Sequence, residues 1–262
     1  GLVVDQANLW AVYPPEDERP GVSCAQWMQY QLDNFATVDE VIAHLDDLRP
    51  DGEGWHYLVA DATGAGAIIE HTGGAPDVYA AEDAPYCAIT NAPFAQLLKQ
   101  LSIYRAFGGD VDSRSNDDSH ARFARIAARL RDYDRSSWDT RTDFAFAALE
   151  DVSVWDTQRS VVYDAARGRA TWTSWRSEGH RGLELSTLEF SVGSPTLLAY
   201  VHEGAAGDAA ASLSEYTLEA NRSNVAASLA PGFDEDSEEL LAARGFTTDA
   251  VIELIAEHPT SR

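Results

Sequence analysis

Residues 86–93 have the sequence YCAITNAP, a short apolar run that reaches an asparagine and is closed by a proline. The pattern predicts a strand that presents the side chain of Asn91 at its end. Asparagine is a poor strand former, so a carboxamide at this point indicates that another group requires it. The alternative is that Asn91 caps a helix predicted for residues 94–104 or begins a turn, and on this stretch alone that alternative is favoured.

Two further segments change this balance. Residues 1–10 read GLVVDQANLW and residues 119–125 read SHARFAR. Together with ITNAP at residues 89–93, and in this order, they resemble the choloylglycine hydrolase family, which includes bile salt hydrolases, penicillin V acylases and other linear amide C–N hydrolases. The resemblance extends from Gly1 to about Tyr216. It is also carried by residues 26–34, 36–41, 56–61 and 160–164.

The resemblance implies an N-terminal nucleophile hydrolase, in which a cysteine at the first residue of the mature chain attacks the amide carbonyl. The α-amino group of that cysteine serves as the base, since its unperturbed pKa of about 7.7–8.0 suits proton transfer near neutrality. Asn91 matches the side-chain donor to the oxyanion, and Asn8 matches the position whose backbone N–H is the second donor. Arg122 matches the arginine beside the nucleophile. Without the resemblance, Arg122 would read as an exposed helix arginine paired with acidic neighbours.

The nucleophile itself has no counterpart in this sequence, because residue 1 is glycine. The family's leading strands, with the cysteine and an early arginine and aspartate, are expected upstream, so this chain is expected to be inactive on its own. Cys24 stands at a predicted helix start and Cys87 in the predicted strand, and both are predicted to be packed thiols. The alternative function is a non-catalytic binding or interaction module that retains the fold.

Hydrophobic periodicity predicts helices and strands in separate runs, which is typical of an α+β fold. The family's four-layer αββα sandwich, here without its first strands, is what the resemblance implies. The predicted core spans residues 1–203, and residues 204–262 are predicted to be a helical C-terminal extension. The predicted helices are residues 26–35, 37–48, 94–104, 119–133, 143–149, 214–227, 236–243 and 249–257. The predicted strands are residues 56–61, 67–70, 77–80, 86–91, 160–163, 170–174 and 186–190.

The charge of the chain is strongly negative, with 43 acidic against 19 basic residues, a net charge of −24 and Lys99 as the single lysine. A polyanion repels nucleic acid and anionic membranes, so neither is predicted as a partner. The resemblance implies a small-molecule amide substrate. The composition predicts a halophilic protein; an acidic protein from a GC-rich mesophile is the alternative. Two cysteines predict reduced thiols and a cytoplasmic location. A homo-oligomer is left open.

Metal and cofactor sites are not predicted. The seven histidines are scattered and lack the His-x-x-x-His spacing of a zinc site. Residues 110–118, DVDSRSNDD, resemble a calcium loop, but Arg114 occupies a ligand position and the loop glycine and closing glutamate are absent. No apolar run reaches the length of a membrane span.

Overall fold

The computed structural model describes residues 1–10, 15–137, 140–229, 241–243 and 245–257. Contacts divide the chain into two units, one of residues 1–188 with 201–208 and one of residues 189–200 with 209–262. The sequence-based boundary between residues 203 and 204 stays a prediction.

The elements alternate between runs of strands and runs of helices, as expected for an α+β fold. The helices are α1 (Cys24–Asn34), α2 (Val38–Ala43), α3 (Phe94–Gln100), α4 (Ser119–Arg131), α5 (Arg141–Asp151), α6 (Leu218–Leu229) and α7 (Thr248–Glu257). The strands are β1 (Leu2–Asn8), β2 (Gly21–Val22), β3 (Arg49–Pro50), β4 (Trp55–Asp61), β5 (Gly66–Gly73), β6 (Ala75–Ala80), β7 (Arg159–Asp164), β8 (Arg169–Ser174), β9 (Ser177–Glu184), β10 (Leu197–Leu198), β11 (Gly207–Asp208) and β12 (Ser214–Glu215).

The first sheet has the order β1-β4-β5-β6, and all its pairs are antiparallel. The strands predicted at residues 56–61 and 67–70 are confirmed as β4 and β5, which form a hairpin with a turn in which Gly64 adopts φ +94°. A positive φ is accessible to glycine without steric cost, which explains glycine at this position. In the described part of the chain β1 has one neighbour, β4, so its other side is an open edge.

Helix α2 begins as the sequence predicts, and helix α1 begins at Cys24, two residues before the predicted start. Ser23 and Gln26 form a capping box at α1, and Thr37 and Glu40 form one at α2. Helix α2 ends at Ala43, before the predicted end at Leu48. Both helices cover one face of the first sheet through an apolar cluster. The cluster consists of Trp27, Val38, Val41, Leu45, Tyr57, Val59, Ala67 and Ile69.

A second apolar cluster joins the first sheet to helices α3 and α4. From the sheet it includes Ile68, and Phe94 and Phe123 of the two helices meet edge to face at 6.1 Å between ring centroids. Helix α3 ends at Gln100 and continues as a 3-10 turn, Leu101–Ile103, which shortens the predicted helix. This packing places the segment before α3 and the start of α4 close together.

The predicted strand at residues 86–91 is wrong. Residues 87–90 have no regular structure, and Asn91 lies in a bend. Instead of a strand ladder, Ala88 N–H donates to Tyr86 O at 3.1 Å, and a side chain, that of His56, contacts Thr90 O. These two backbone polar groups are therefore satisfied by a local contact and by a side chain.

The second sheet has the order β11-β9-β8-β7. Strands β7 and β8 are confirmed, but the predicted strand at residues 186–190 is wrong, since Leu185–Thr187 form a 3-10 turn. The register explains this: Arg169, the first residue of β8, already pairs with Glu184, so later residues have no β8 partner. The strand β9 was missed because its sequence, SEGHRGLE, lacks apolar alternation.

The unit of residues 189–200 and 209–262 contains β10, β12, α6 and α7. Helices α6 and α7 are connected by Arg222, which donates to both carboxylate oxygens of Glu253 at 2.6 and 2.7 Å. The helices predicted at residues 214–227 and 249–257 are confirmed with shifted ends, and most of that predicted at residues 236–243 lies outside the described residues. In the described parts of the chain, no helix is long and apolar enough to cross a membrane.

Candidate functional site

Asn8 is the last residue of β1, at the open edge of the first sheet. The Leu9 N–H donates to Gly54 O at 2.9 Å, which makes the odd-numbered residues of β1 the hydrogen-bonded partners of β4. Asn8 opposes Trp55 in a non-hydrogen-bonded pair, so its backbone N–H and C=O point away from β4. The side chain is buried and donates from Nδ2 to Glu53 Oε2 at 3.1 Å.

The Asn91 carboxamide connects β1 to α4. Its Nδ2 donates to Asn8 O at 3.1 Å, and its Oδ1 accepts from Arg122 Nη2 at 2.8 Å. Because a guanidinium can only donate and a backbone carbonyl can only accept, these two contacts fix the orientation of the carboxamide. The structure thus brings the three predicted site residues into one chain of hydrogen bonds.

The capping alternative for Asn91 is wrong. The N-cap of α3 is Pro93, which makes no side-chain cap bond. The first N–H of the helix, that of Phe94, instead donates to Glu70 Oε1 at 2.7 Å. The Asn91 side chain is therefore not required for helix formation, and its contacts are with Asn8 and Arg122.

Arg122 lies in the first turn of α4, whose N-cap Asp118 accepts from the Ala121 N–H at 2.8 Å. A cation here is opposed by the helix macrodipole, so this position costs stability unless other contacts offset it. Arg122 also donates from Nε to Asp117 O at 3.1 Å. Burial, and then the charge of Arg125, lower the pKa of the half-buried Arg122. Among the described residues Arg122 forms no ion pair, unlike the surface arginine that the composition alone would suggest.

Two N–H donors lie side by side at this edge. The N–H and C=O of Asn8 point to the same side of β1, and the Asn91 Nδ2 lies 3.1 Å from that C=O. One hydrogen of Nδ2 is used in this bond. Within the described ranges, neither its second hydrogen nor the Asn8 N–H has an acceptor. Two adjacent, fixed N–H donors can bind one negatively charged oxygen.

The bend that carries Asn91 is held on both sides. Thr90 Oγ1 donates to Ser119 O at 2.9 Å, which ties the bend to the first residue of α4. Thr90 O lies 2.5 Å from His56 Nε2, and His56 Nδ1 lies 2.8 Å from Glu70 Oε1. His56 and Glu70 were not predicted from the sequence as site residues. The available signal is that they lie in neighbouring predicted strands, residues 56–61 and 67–70, and in the structure they are direct cross-strand partners.

The two thiols lie in the apolar clusters. Cys24, the first residue of α1, packs against the Trp27 cluster, and Cys87 packs against the Phe94 cluster. Both are unpaired and half-buried, and burial raises the pKa of the Cys87 thiol. A raised pKa lowers the fraction of the nucleophilic thiolate at neutral pH.

The described residues contain no metal-binding group of three or more histidine, cysteine, aspartate or glutamate side chains. In the loop of residues 110–118, Asp112 accepts from the Arg114 N–H at 2.9 Å and pairs with Arg105 at 3.2 Å. The Asp112 carboxylate is therefore occupied by groups of the protein itself.

The N-terminal half of the chain is similar to known amide hydrolases. Residues 1–128 match the model of the linear amide C–N hydrolases, choloylglycine hydrolase family. Penicillin V acylase from Pectobacterium atrosepticum is 33% identical over 137 residues, which are 45% of this chain and 36% of that protein. The chain therefore spans about a third of the length of this curated relative.

Solved structures show the same fold. Penicillin V acylase from Agrobacterium tumefaciens superposes with a TM-score of 0.67 at 23% identity, over 83% of this chain and 75% of that one. A single-residue variant of the conjugated bile acid hydrolase from Clostridium perfringens superposes with a TM-score of 0.59 at 17% identity, over 72% of this chain and 71% of that one. These likenesses confirm the α+β, N-terminal nucleophile hydrolase fold predicted from the sequence. Over residues 1–128 this chain is similar to the choloylglycine hydrolase family of linear amide C–N hydrolases.

Proposed function

We propose that the protein hydrolyses linear amide C–N bonds and that Asn8, Asn91 and Arg122 form the part of its active site that stabilises the oxyanion. The observation that carries this proposal is the pair of adjacent donors, the Asn8 N–H and the second Asn91 Nδ2 hydrogen. When a nucleophile adds to an amide carbonyl, the carbonyl oxygen gains negative charge. Donors already fixed in place stabilise that charge without reorganisation in the transition state.

Arg122 strengthens this arrangement. It donates to Asn91 Oδ1 at 2.8 Å, and a cation on the amide oxygen polarises the carboxamide and makes its N–H groups better donors. Because Arg122 lacks a carboxylate partner among the described residues, its charge is not neutralised by an ion pair. The same charge would favour a neighbouring thiolate over the thiol, so Arg122 serves the oxyanion donor and the nucleophile together.

The proposed nucleophile is a cysteine at the first residue of the mature chain, N-terminal to Gly1, with its own α-amino group as base. The positions of Cys24 and Cys87 support this assignment, since both thiols pack within the apolar clusters and the Cys87 pKa is raised by burial. The proposed catalytic core spans residues 1–203, with residues 204–262 as a helical extension.

The proposed substrate is a small acyl amide, such as a conjugated bile salt or a compound like penicillin V. This follows from the named relatives, a penicillin V acylase and a conjugated bile acid hydrolase. The net charge of −24 supports a small molecule rather than a nucleic acid. The composition also supports a cytoplasmic, halophilic protein.

The test compares three forms of the protein with penicillin V and with a glycine-conjugated bile salt, by the release of the amine product. One form carries the family's leading segment with a first-residue cysteine ahead of Gly1, one carries alanine at that residue, and one is the 262-residue chain. We expect turnover only in the first form, and we expect Cys24→Ala and Cys87→Ala to leave it unchanged.

Activity in the 262-residue chain that is abolished by Cys24→Ala or Cys87→Ala would contradict the proposal and indicate a different thiol chemistry. Saturable binding of both compounds without turnover, in the form with the first-residue cysteine, would instead support a non-catalytic binding module on the same fold.

A further inference from the structure

A buried histidine–glutamate pair lies beside the bend that carries Asn91. His56 on β4 is fully buried, and Glu70 on β5 is 2% exposed. They are cross-strand partners, and His56 Nδ1 lies 2.8 Å from Glu70 Oε1. Two ionisable side chains taken out of water in an apolar cluster require a specific reason, because desolvation of such a pair can exceed its Coulombic gain.

The hydrogen-bond partners of His56 fix one hydrogen of its ring. His56 Nε2 contacts Thr90 O, a backbone carbonyl that can only accept, so Nε2 carries a hydrogen. Glu70 Oε1 accepts from the Phe94 N–H at 2.7 Å, and the same oxygen contacts His56 Nδ1. One hydrogen lies between Glu70 Oε1 and His56 Nδ1, and either group can carry it, because a carboxyl O–H oxygen can donate to Nδ1 and still accept from the Phe94 N–H. In both cases every contact of the pair is a hydrogen bond.

The pair holds both ends of the Asn91 segment. His56 binds the carbonyl of Thr90, the residue before Asn91, and Glu70 binds the N–H of Phe94, three residues after it. The segment from 90 to 94 has no strand partner in the described part of the chain. These two side-chain contacts therefore replace a strand ladder in fixing where the Asn91 carboxamide points.

We propose that His56 and Glu70 are positioning residues that hold the Asn91 carboxamide in register with the Asn8 backbone through the Thr90 carbonyl and the Phe94 N–H. The inference rests on the proposed function for its catalytic consequence, but the positioning itself can be measured without any hydrolysis. A displacement of about 1 Å in a reacting group can lower turnover about 100-fold, so the register of Asn91 matters even though neither residue touches substrate.

The first measurement uses the unmodified protein. In ¹⁵N-labelled protein, nuclear magnetic resonance of the His56 ring should show a hydrogen on Nε2. A ring whose Nε2 carries no hydrogen would overturn the proposed arrangement. This result does not depend on whether any variant folds.

The second measurement uses Glu70→Gln, which keeps the size of the side chain and an oxygen acceptor for Phe94. The glutamine oxygen that accepts from Phe94 cannot donate to Nδ1 and carries no charge, and a neutral ring has a single N–H, so His56 should keep only one of its two contacts. We expect the side-chain amide signals of Asn91 to shift and the Phe94 N–H to exchange with solvent about 10- to 100-fold faster, the effect of one weakened charge-assisted hydrogen bond. The matched control is Asp77→Asn, which removes a carboxylate from the residue opposite Glu70 on the neighbouring strand, where it is exposed. It should leave the Asn91 and Phe94 signals unchanged.

Kinetics separate the two proposals. In the form with a first-residue cysteine, Glu70→Gln should lower kcat about 10- to 100-fold and leave KM nearly unchanged. Unchanged Asn91 signals in a folded Glu70→Gln protein would overturn the positioning role. Shifted Asn91 signals in a protein whose unmodified form hydrolyses no amide would support the positioning role and contradict the proposed function instead.

Discussion

Helix α4 carries arginines in two settings that differ in their partners. Arg129 donates to Asp151 Oδ2 and Arg114 to Asp151 Oδ1, each at 2.7 Å, around a carboxylate that is 8% exposed. Arg122, seven residues before Arg129 on the same helix, instead contacts the neutral Asn91 carboxamide and a backbone carbonyl. The first setting joins α4 to the end of α5, and the second joins α4 to β1 through Asn91.

The difference matters because carboxylates outnumber cationic side chains in this chain by 43 to 19. In such a composition an arginine is expected to be paired, as Arg129 is. Arg122 has no carboxylate partner among the described residues and lies in the first turn of α4, where the helix macrodipole opposes a cation. We therefore propose that the Asp151 cluster, defined as Arg114, Arg129 and Asp151, serves stability and that the Asn8–Asn91–Arg122 chain serves function.

The largest expected effect is a loss of turnover when the Asn8–Asn91–Arg122 chain is changed. In the form with a first-residue cysteine, Asn91→Ala should lower kcat about 10²- to 10³-fold, the typical loss for one oxyanion donor. Steady-state kinetics measure this, with Asn34→Ala as the control, because the exposed Asn34 side chain bonds only to Tyr30 O of its own helix. The free energy of unfolding should change little. An Asn91→Ala protein with normal kcat would remove Asn91 from the oxyanion site.

The Asp151 cluster should show the opposite pattern. Asp151→Ala removes the acceptor of two arginines and should lower the free energy of unfolding by about 2 kcal/mol with kcat unchanged. Arg114→Ala should cost less, since the Arg114 side chain is 67% exposed. Urea unfolding measures both. A kcat that falls with Asp151→Ala while stability holds would reverse our division of the helix.

The cluster should also respond to acid. Burial alone would raise the pKa of Asp151, but the hydrogen bonds from Arg129 and Arg114 outweigh burial and hold that pKa below its usual value of 3.8. A depressed pKa in the folded state gives stability that is present above pH 3.8 and lost as the pH falls through the folded value. Asp151→Asn should therefore have a lower Tm than the unmodified protein at neutral pH, and the two Tm values should approach each other in strong acid. A constant difference at all pH values would contradict this assignment.

A smaller effect is expected from salt. The net charge of −24 destabilises the folded state through repulsion, and molar salt shortens the Debye length to about 3 Å. Molar potassium chloride should raise the Tm of the protein, measured by circular dichroism, by more than it raises that of a protein with balanced charge. An unchanged Tm would contradict the halophilic prediction.

Sequence patterns predicted three strands of the first sheet, β4 to β6, and the two helices that cover it, because local rules decide them. The capping boxes at Thr37 and Ser23 and the turn at Gly64 act over a few residues. Residues 86–91 failed for the opposite reason. Their apolar pattern is that of a strand, but a strand requires a neighbour, and in the structure His56 and Glu70 provide the contacts instead.

At the candidate site, too, local sequence patterns do not predict contacts between distant residues. Asn8, Asn91 and Arg122 were found through a resemblance between distant segments, and their contacts span 83 and 31 residues of sequence. Composition and periodicity carry no information about contacts at such separations. His56 and Glu70 lie opposite each other in the β4–β5 hairpin, so a prediction of the hairpin register would have paired them. A buried histidine in an apolar strand is, however, usually a packed core residue.

The central claim is that Asn91 and Arg122 act as one unit beside the Asn8 backbone. A double-mutant cycle tests it most directly, with kcat measured for Asn91→Ala, Arg122→Ala and the double variant. The measurement belongs at the plateau of the pH–rate profile, where the thiolate is fully formed and the effect of Arg122 on the nucleophile no longer contributes. We expect the double variant to be about as slow as Asn91→Ala alone, because Arg122 then has no carboxamide to polarise. Losses that multiply, so that the double variant is slower by the product of the two single effects, would contradict the account.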